Sequence, residues 1–195
     1  MQSKDKAPTS REGLTWPKTF RFLSLPFNPK KLKTYLRVKR FEDIPLDKLL
    51  EEGIEGVLLD ADGTLGPHDS REFHSSVINH VRTMIDKNLK VAIYTNAKED
   101  RFQVFTEMGV KIVLQVPAKP DVRGFHIAMT EFLQMDEPSR VCMIGDNYVT
   151  DGGAVDLGMH FIHVKPLKGN EPFFHSATRF FAYLCAKIYN SKSVH

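Results

Sequence analysis

Short apolar runs alternate along this chain with stretches whose apolar positions recur at helical spacing. Gly56–Leu59 and the segments 90–94, 112–115, 141–144 and 161–164 read as five strands. Between them, 73–88 places Val77, Ile78, Val81, Met84 and Ile85 on one helical face. Further helices are expected over 46–52, 98–108 with Gly109 as a stop, 121–134, 151–157 and 173–189. Strands apolar throughout, separated by amphipathic helices, specify a parallel sheet covered on both faces. The expected fold is α/β, a doubly wound parallel-sheet sandwich.

Ahead of the first strand the pattern changes. Residues 1–17 are rich in Lys, Ser, Thr, Pro and Gly and read as a mobile tail. From Lys18 to Arg40 there are eight basic residues and no acidic one, interleaved with Phe20, Phe22, Leu23, Leu25, Phe27, Leu32, Tyr35 and Leu36. Pro26 and Pro29 argue against a single long helix here. Residues 1–40 hold eleven Lys and Arg against two acids, so the overall charge of +3 hides a basic arm on a mildly acidic remainder. Such asymmetry suits an anionic membrane surface, with Phe and Leu for the interface, and equally a flexible partner-binding segment. The regular basic and aromatic pattern of a nucleic-acid module is missing, so no nucleic acid is expected.

The remaining composition narrows the class. The longest apolar run, 180–186, is seven residues against about 20 for a membrane-spanning helix. No signal-peptide stretch opens the chain. Two cysteines, Cys142 and Cys185, do not make a disulfide framework. The expectation is a cytoplasmic protein, its peripheral contact with the inner face of a membrane resting on the arm.

In an open α/β sheet, ligands bind beyond the carboxyl ends of the strands. The first strand is followed by Asp60-Ala61-Asp62-Gly63-Thr64, the second by Thr95-Asn96, the third by Ala118-Lys119-Pro120, and the fourth by Gly145-Asp146 and then Thr150-Asp151. Four carboxylates, a lysine and a threonine thus converge on one edge. Carboxylates placed together repel one another, and a hard cation such as Mg²⁺ relieves the repulsion through oxygen ligands. The same ion neutralises phosphate while a carboxylate attacks phosphorus. Lys119 and Thr95 supply charge and donors to the transferring group. Asp60 and Asp62 can divide the work of nucleophile and proton donor. Asn96 and Asp151 have plainer alternatives as helix caps, and His68 reads as a solvated loop histidine.

These segments resemble the four motifs of the haloacid dehalogenase superfamily, in order, over about residues 54–165: DxDGT, Thr95, Lys119 and GDxxxxD. The resemblance implies a Rossmann-like core and a phosphatase working through an aspartyl-phosphate. It implies Asp60 as nucleophile and Asp62 as general acid and base. Thr95, Asn96 and Lys119 would bind the phosphoryl group. Asp60, Asp146 and the carbonyl of Asp62 would hold Mg²⁺, with Asp151 in support.

The gaps 64–95 and 95–119 are too short to house an inserted cap domain, so the site should lie open to large or surface-presented phosphorylated substrates. The chain divides into a basic arm (1–43), a phosphatase core (44–172) and a C-terminal helix packed on the core (173–195). Within the superfamily it is similar to the capless YqeG-type branch, which includes phosphatidylglycerophosphate phosphatases. Gly63 departs from that branch, where Asn is expected. A soluble phosphometabolite, nucleotide or phosphoprotein as substrate, or a non-catalytic scaffold, are the competing readings. The oligomeric state is left open.

Overall fold

A computed structural model describes residues 15–68, 70–96, 101–167, 169 and 173–191. Six strands form one sheet: β1 (Leu36–Val38), β2 (Gly56–Leu59), β3 (Lys90–Ile93), β4 (Lys111–Ile112), β5 (Val141–Gly145) and β6 (His160–Val164). Their order is β1-β6-β5-β2-β3-β4, and every pairing is parallel. The helices are α1 (Trp16–Ser24), α2 (Leu46–Glu51), α3 (Ser75–Asp86), α4 (Gln103–Thr106), α5 (Val122–Ile127) and α6 (Phe173–Ser191). No helix among the described residues is long and apolar enough to cross a membrane.

The two central strands, β2 and β5, are buried along their whole length. Alternate residues feed opposite cores, as the two-residue period of a strand requires. Val57 and Leu59 join Val81, Met84 and Phe105 on one face. Leu58 joins Phe125, Met129, Ala182 and Ala186 on the other. The result is the α/β doubly wound sandwich, with helices on both faces.

The chain runs outward from β2 through β3 to β4, then crosses back to β5 on the other flank of β2. That reversal makes the crevice between β2 and β5 the switch point where ligands bind. In-register pairing of Leu59 with both Ile93 and Ile144 brings Asp60, Thr95 and Asp146 to the same end of the sheet. No cap intervenes. Among the described residues, the stretch 64–95 carries α3 and β3, and the stretch 95–119 carries α4 and β4.

Several expected elements come out shorter. The third predicted strand is reduced to Lys111–Ile112, extended by the Val113 amide donating to the Ile93 carbonyl at 2.8 Å. Helix 121–134 is α-helical only to Ile127 and continues as a wider turn over Ala128–Phe132. Of the helix expected over 98–108, Gln103–Thr106 is present, and residues 97–100 lie outside the described residues. The segment Asp151–Leu157 is a tight 3₁₀ helix. The mobile tail read over 1–17 falls largely outside the described residues.

The arm behaves least as its composition suggests. Leu36–Val38 adds a sixth strand, with Leu36 opposite Ile162 and Val38 opposite Val164. Arg21 is buried: its Nε donates to the Tyr148 carbonyl at 3.2 Å, and its Nη2 to the Lys31 carbonyl at 3.1 Å and to the Gly152 carbonyl. Its Nη1 pairs with Asp156. Burial pulls the guanidinium pKa down while Asp156 pushes it back up. This arginine therefore fastens α1 to the loop after β5.

Candidate active site

Asp60 follows β2 directly, and its amide donates to the Ile144 carbonyl at 2.9 Å, so the backbone stays in the sheet until the carboxylate is in place. Asp146 leaves β5 beside it, and Asp151 opens the 3₁₀ helix one turn later. A carboxylate oxygen from each of these three buried residues lies within 4.8 Å of the others. Lys119 Nζ donates to Asp60 Oδ1 and to Asp151 Oδ1, each at 2.6 Å. The ammonium also lies 5.6 Å from the centre of the Tyr94 ring, whose hydroxyl donates to the Pro117 carbonyl at 2.6 Å. Asp151 Oδ2 accepts the Asn147 amide at 3.0 Å.

Close approach sets two glycines. A Cβ on Gly145 would collide with Asp151 Oδ2, so only glycine lets that carboxylate fold back against the strand end. Gly63 has φ +82°, and a Cβ there would collide with Asp146 Oδ2. The departure of Gly63 from the expected Asn thus coincides with a backbone on which an acid of the site leans.

Negative charge is in surplus. Burial, with Asp151 and Asp62 adding and Lys119 opposing, pushes Asp60 up to about 7. Burial likewise raises Asp146 well above the usual carboxylate range, against the pull of Arg179. Lys119 is raised as well, for the opposite reason. Burial alone would lower its pKa, but Asp151 and Asp60 outweigh burial and raise it. An all-oxygen donor set with more acid than base fits a hard divalent cation such as Mg²⁺.

The rim of the site is different in character. The Asp62 carboxylate lies outside the buried trio. Its Oδ1 accepts from Arg101 Nη2 at 2.6 Å and lies 3.5 Å from His68 Nδ1. Arg101 is held in turn by the Ser70 carbonyl, at 3.2 Å from Nη1. His68 therefore lines the rim beside Asp62. Thr95 is buried at the end of β3. Asn96 faces the Lys119 peptide: its Oδ1 accepts the Lys119 amide at 3.2 Å, and its Nδ2 donates to the Lys119 carbonyl at 3.5 Å. Asn96 thereby clasps the main chain that presents the lysine.

Two arginines of the site were not legible in the sequence. Arg101 has no motif around it. Arg179, on α6, reads as a flanking charge, yet its Nη1 donates to Asp146 Oδ2 at 2.6 Å. The one local signal is its position in a helix free of acids.

A family sequence profile described as mitochondrial PGP phosphatase matches residues 18–156. The probable phosphatase YqeG of Bacillus subtilis (strain 168) is 31% identical over 138 residues, 70% of this chain and 78% of YqeG. Among solved structures, an uncharacterized protein from Listeria monocytogenes serotype 4b aligns with a TM-score of 0.48 and 20% identity, over 69% of this chain and 99% of that one. A haloacid dehalogenase-like hydrolase from Brucella suis 1330 aligns with a TM-score of 0.24 and 16% identity, over 69% of this chain and 66% of that one.

Proposed function

The chain belongs to the family described as mitochondrial PGP phosphatase and is a phosphatase of the haloacid dehalogenase type, and on that premise we propose that it removes the terminal phosphate of phosphatidylglycerophosphate through an aspartyl-phosphate on Asp60. The observation that carries this reading is the Lys119 ammonium shared at 2.6 Å between Asp60 and Asp151, with Asp146 beside them. That ammonium holds Asp60 in place and faces the charge that builds on a phosphoryl group attacked there.

In the first half-reaction an Asp60 carboxylate oxygen forms a bond to phosphorus. The bond from phosphorus to the headgroup oxygen breaks, and Asp62 gives that oxygen its proton. In the second, Asp62 takes a proton from water, the water oxygen attacks the phosphorus, and inorganic phosphate leaves Asp60 free. Asp62 suits the proton work because its side chain, paired with Arg101, is the more exposed of the two motif acids. Thr95 and Lys119 hold the phosphoryl oxygens, and Asn96 positions Lys119 through its peptide. Mg²⁺, held by Asp60, Asp146 and the Asp62 main chain with Asp151 in support, would neutralise both the phosphoryl oxygens and the surplus carboxylate charge.

The substrate choice rests on the family and on the short connections between the site motifs, which among the described residues carry only α3 with β3 and α4 with β4 and so leave room for a headgroup presented at a surface. The test is phosphate release from phosphatidylglycerophosphate in mixed micelles with Mg²⁺, beside a panel of soluble phosphomonoesters. Release from the lipid is expected, falling by at least about 10⁴-fold in Asp60→Asn. Release from soluble esters alone would discard the lipid and keep the chemistry. Release from none of them, with metal present and the fold intact, would reject the catalytic reading.

A further inference from the structure

We propose that α1 and α6 together form a docking face for an anionic lipid bilayer, next to the mouth of the site. On α1 and the turn after it, Trp16, Phe20, Leu23 and Phe27 point outward, Trp16 at 86% and Phe27 at 89% exposure. Trp16, Phe20 and Leu23 recur at helical spacing, so they form one stripe, while Lys18, Arg21 and Leu25 are turned inward. On α6, Ala182 and Ala186 are the buried positions, and Phe180, Phe181 and Leu184 are exposed. A helix that only closed the fold would turn its large side chains to the sheet. This one packs through Ala182 and Ala186, with Tyr183, Cys185 and Tyr189 partly buried beside them, and presents Phe180, Phe181 and Leu184 to the outside.

The two helices are neighbours, the rings of Phe22 and Phe181 lying 5.4 Å apart. Among the described residues, the one large apolar side chain exposed elsewhere to a comparable degree is Leu50, at 38%. An exposed apolar patch of this kind marks an interaction surface. Its charge selects the partner. Lys30, Lys33 and Lys187 are exposed around it, and neither the segment 13–41 nor 173–191 contains an acid. Apolar side chains in the middle and lysines at the edge are the composition that binds anionic phospholipid.

Position ties this face to the chemistry. Arg179, one residue before Phe180, donates to Asp146. A bilayer seated on α6 would therefore hold its headgroups beside the site carboxylates. This inference deepens the lipid-substrate reading, on which its purpose rests, but its test needs no substrate.

Trp16 is the only tryptophan of the chain and sits on the proposed face. The full chain is titrated with vesicles of neutral phosphatidylcholine and with vesicles containing phosphatidylglycerol, reading Trp16 emission and co-sedimentation. A blue shift and sedimentation with the anionic vesicles, weakened by salt, are expected. Phe180→Ser with Leu184→Ser, checked for fold by circular dichroism, should weaken partitioning at least about tenfold while leaving Trp16 as reporter. Leu50→Ser should leave it unchanged. Equal partitioning to neutral vesicles overturns the anionic partner. No shift with any vesicle, or a shift that follows protein concentration without lipid, overturns the docking face. If binding holds and phosphatidylglycerophosphate is not hydrolysed, the substrate reading fails and this one stands.

Discussion

Lys119 and Arg21 are both buried cations, and they do opposite jobs. Arg21 meets one carboxylate, Asp156, and the carbonyls of Tyr148, Lys31 and Gly152, so its donors are spent on partners that need nothing else. Lys119 meets Asp60 and Asp151, with Asp146 close by, so its charge is outnumbered. A balanced buried charge fastens elements together. An unbalanced one leaves negative charge that a further cation would relieve. The contrast separates architecture from chemistry more sharply than burial does, since both side chains are nearly inaccessible.

The largest effect should come from breaking the balanced site. Arg21→Met leaves Asp156 and three carbonyls without their donor and should cost about 3–5 kcal/mol of stability, read by denaturant unfolding. The turnover of molecules still folded should change far less than their number. The unbalanced site should answer in reverse. Lys119→Met should lower phosphate release by about 10²–10³-fold. Asp60→Asn, which removes surplus negative charge, should raise the melting temperature of the metal-free chain while stopping turnover. If it lowers that temperature, the charge surplus is not the strain described here.

A third way to sharpen the comparison is pH. His163 is buried against Tyr148, with ring centroids 4.8 Å apart. Burial, with Arg37 adding, pushes it down to about 4 from the ordinary 6.5. The unfolded chain therefore takes this proton below about pH 6.5, and the folded one only near 4. The sign is a loss of stability as pH falls through that window, by about 3 kcal/mol at most. His163→Phe should flatten that part of the profile, and an unchanged profile would refute it. The smallest effect expected is metal binding. Mg²⁺ at about a hundred times its Kd should add about 2.7 kcal/mol of stability, and Asp146→Asn should remove that gain.

Much of the core and the site was legible because parallel strands buried on both faces show as unbroken apolar runs. Each run ends at the sheet edge where ligands bind, so Asp60, Thr95, Lys119 and Asp146 could be placed before their side chains were seen. The misreadings share a cause. Leu36–Val38 carries Arg37 in its middle and pairs with a strand some 125 positions away, so nothing local marks it as a strand. The arm's arginines and lysines look alike in composition, although Arg21 is buried and Lys30 is not. Asn96 reads as a phosphoryl ligand or a cap, and the fold adds a contact that neither reading contains, its side-chain amide clasping the Lys119 peptide.

Period and order along the chain determined the α/β class, the succession of strands and the acids at their carboxyl ends, because a side chain's face and a strand's burial are set by near neighbours. Tertiary structure alone decided which cations meet which acids. Arg101 reaching Asp62, Arg179 reaching Asp146 and Arg21 fastening the loop after β5 depend on long side chains crossing between elements distant in sequence, and no local pattern encodes that reach.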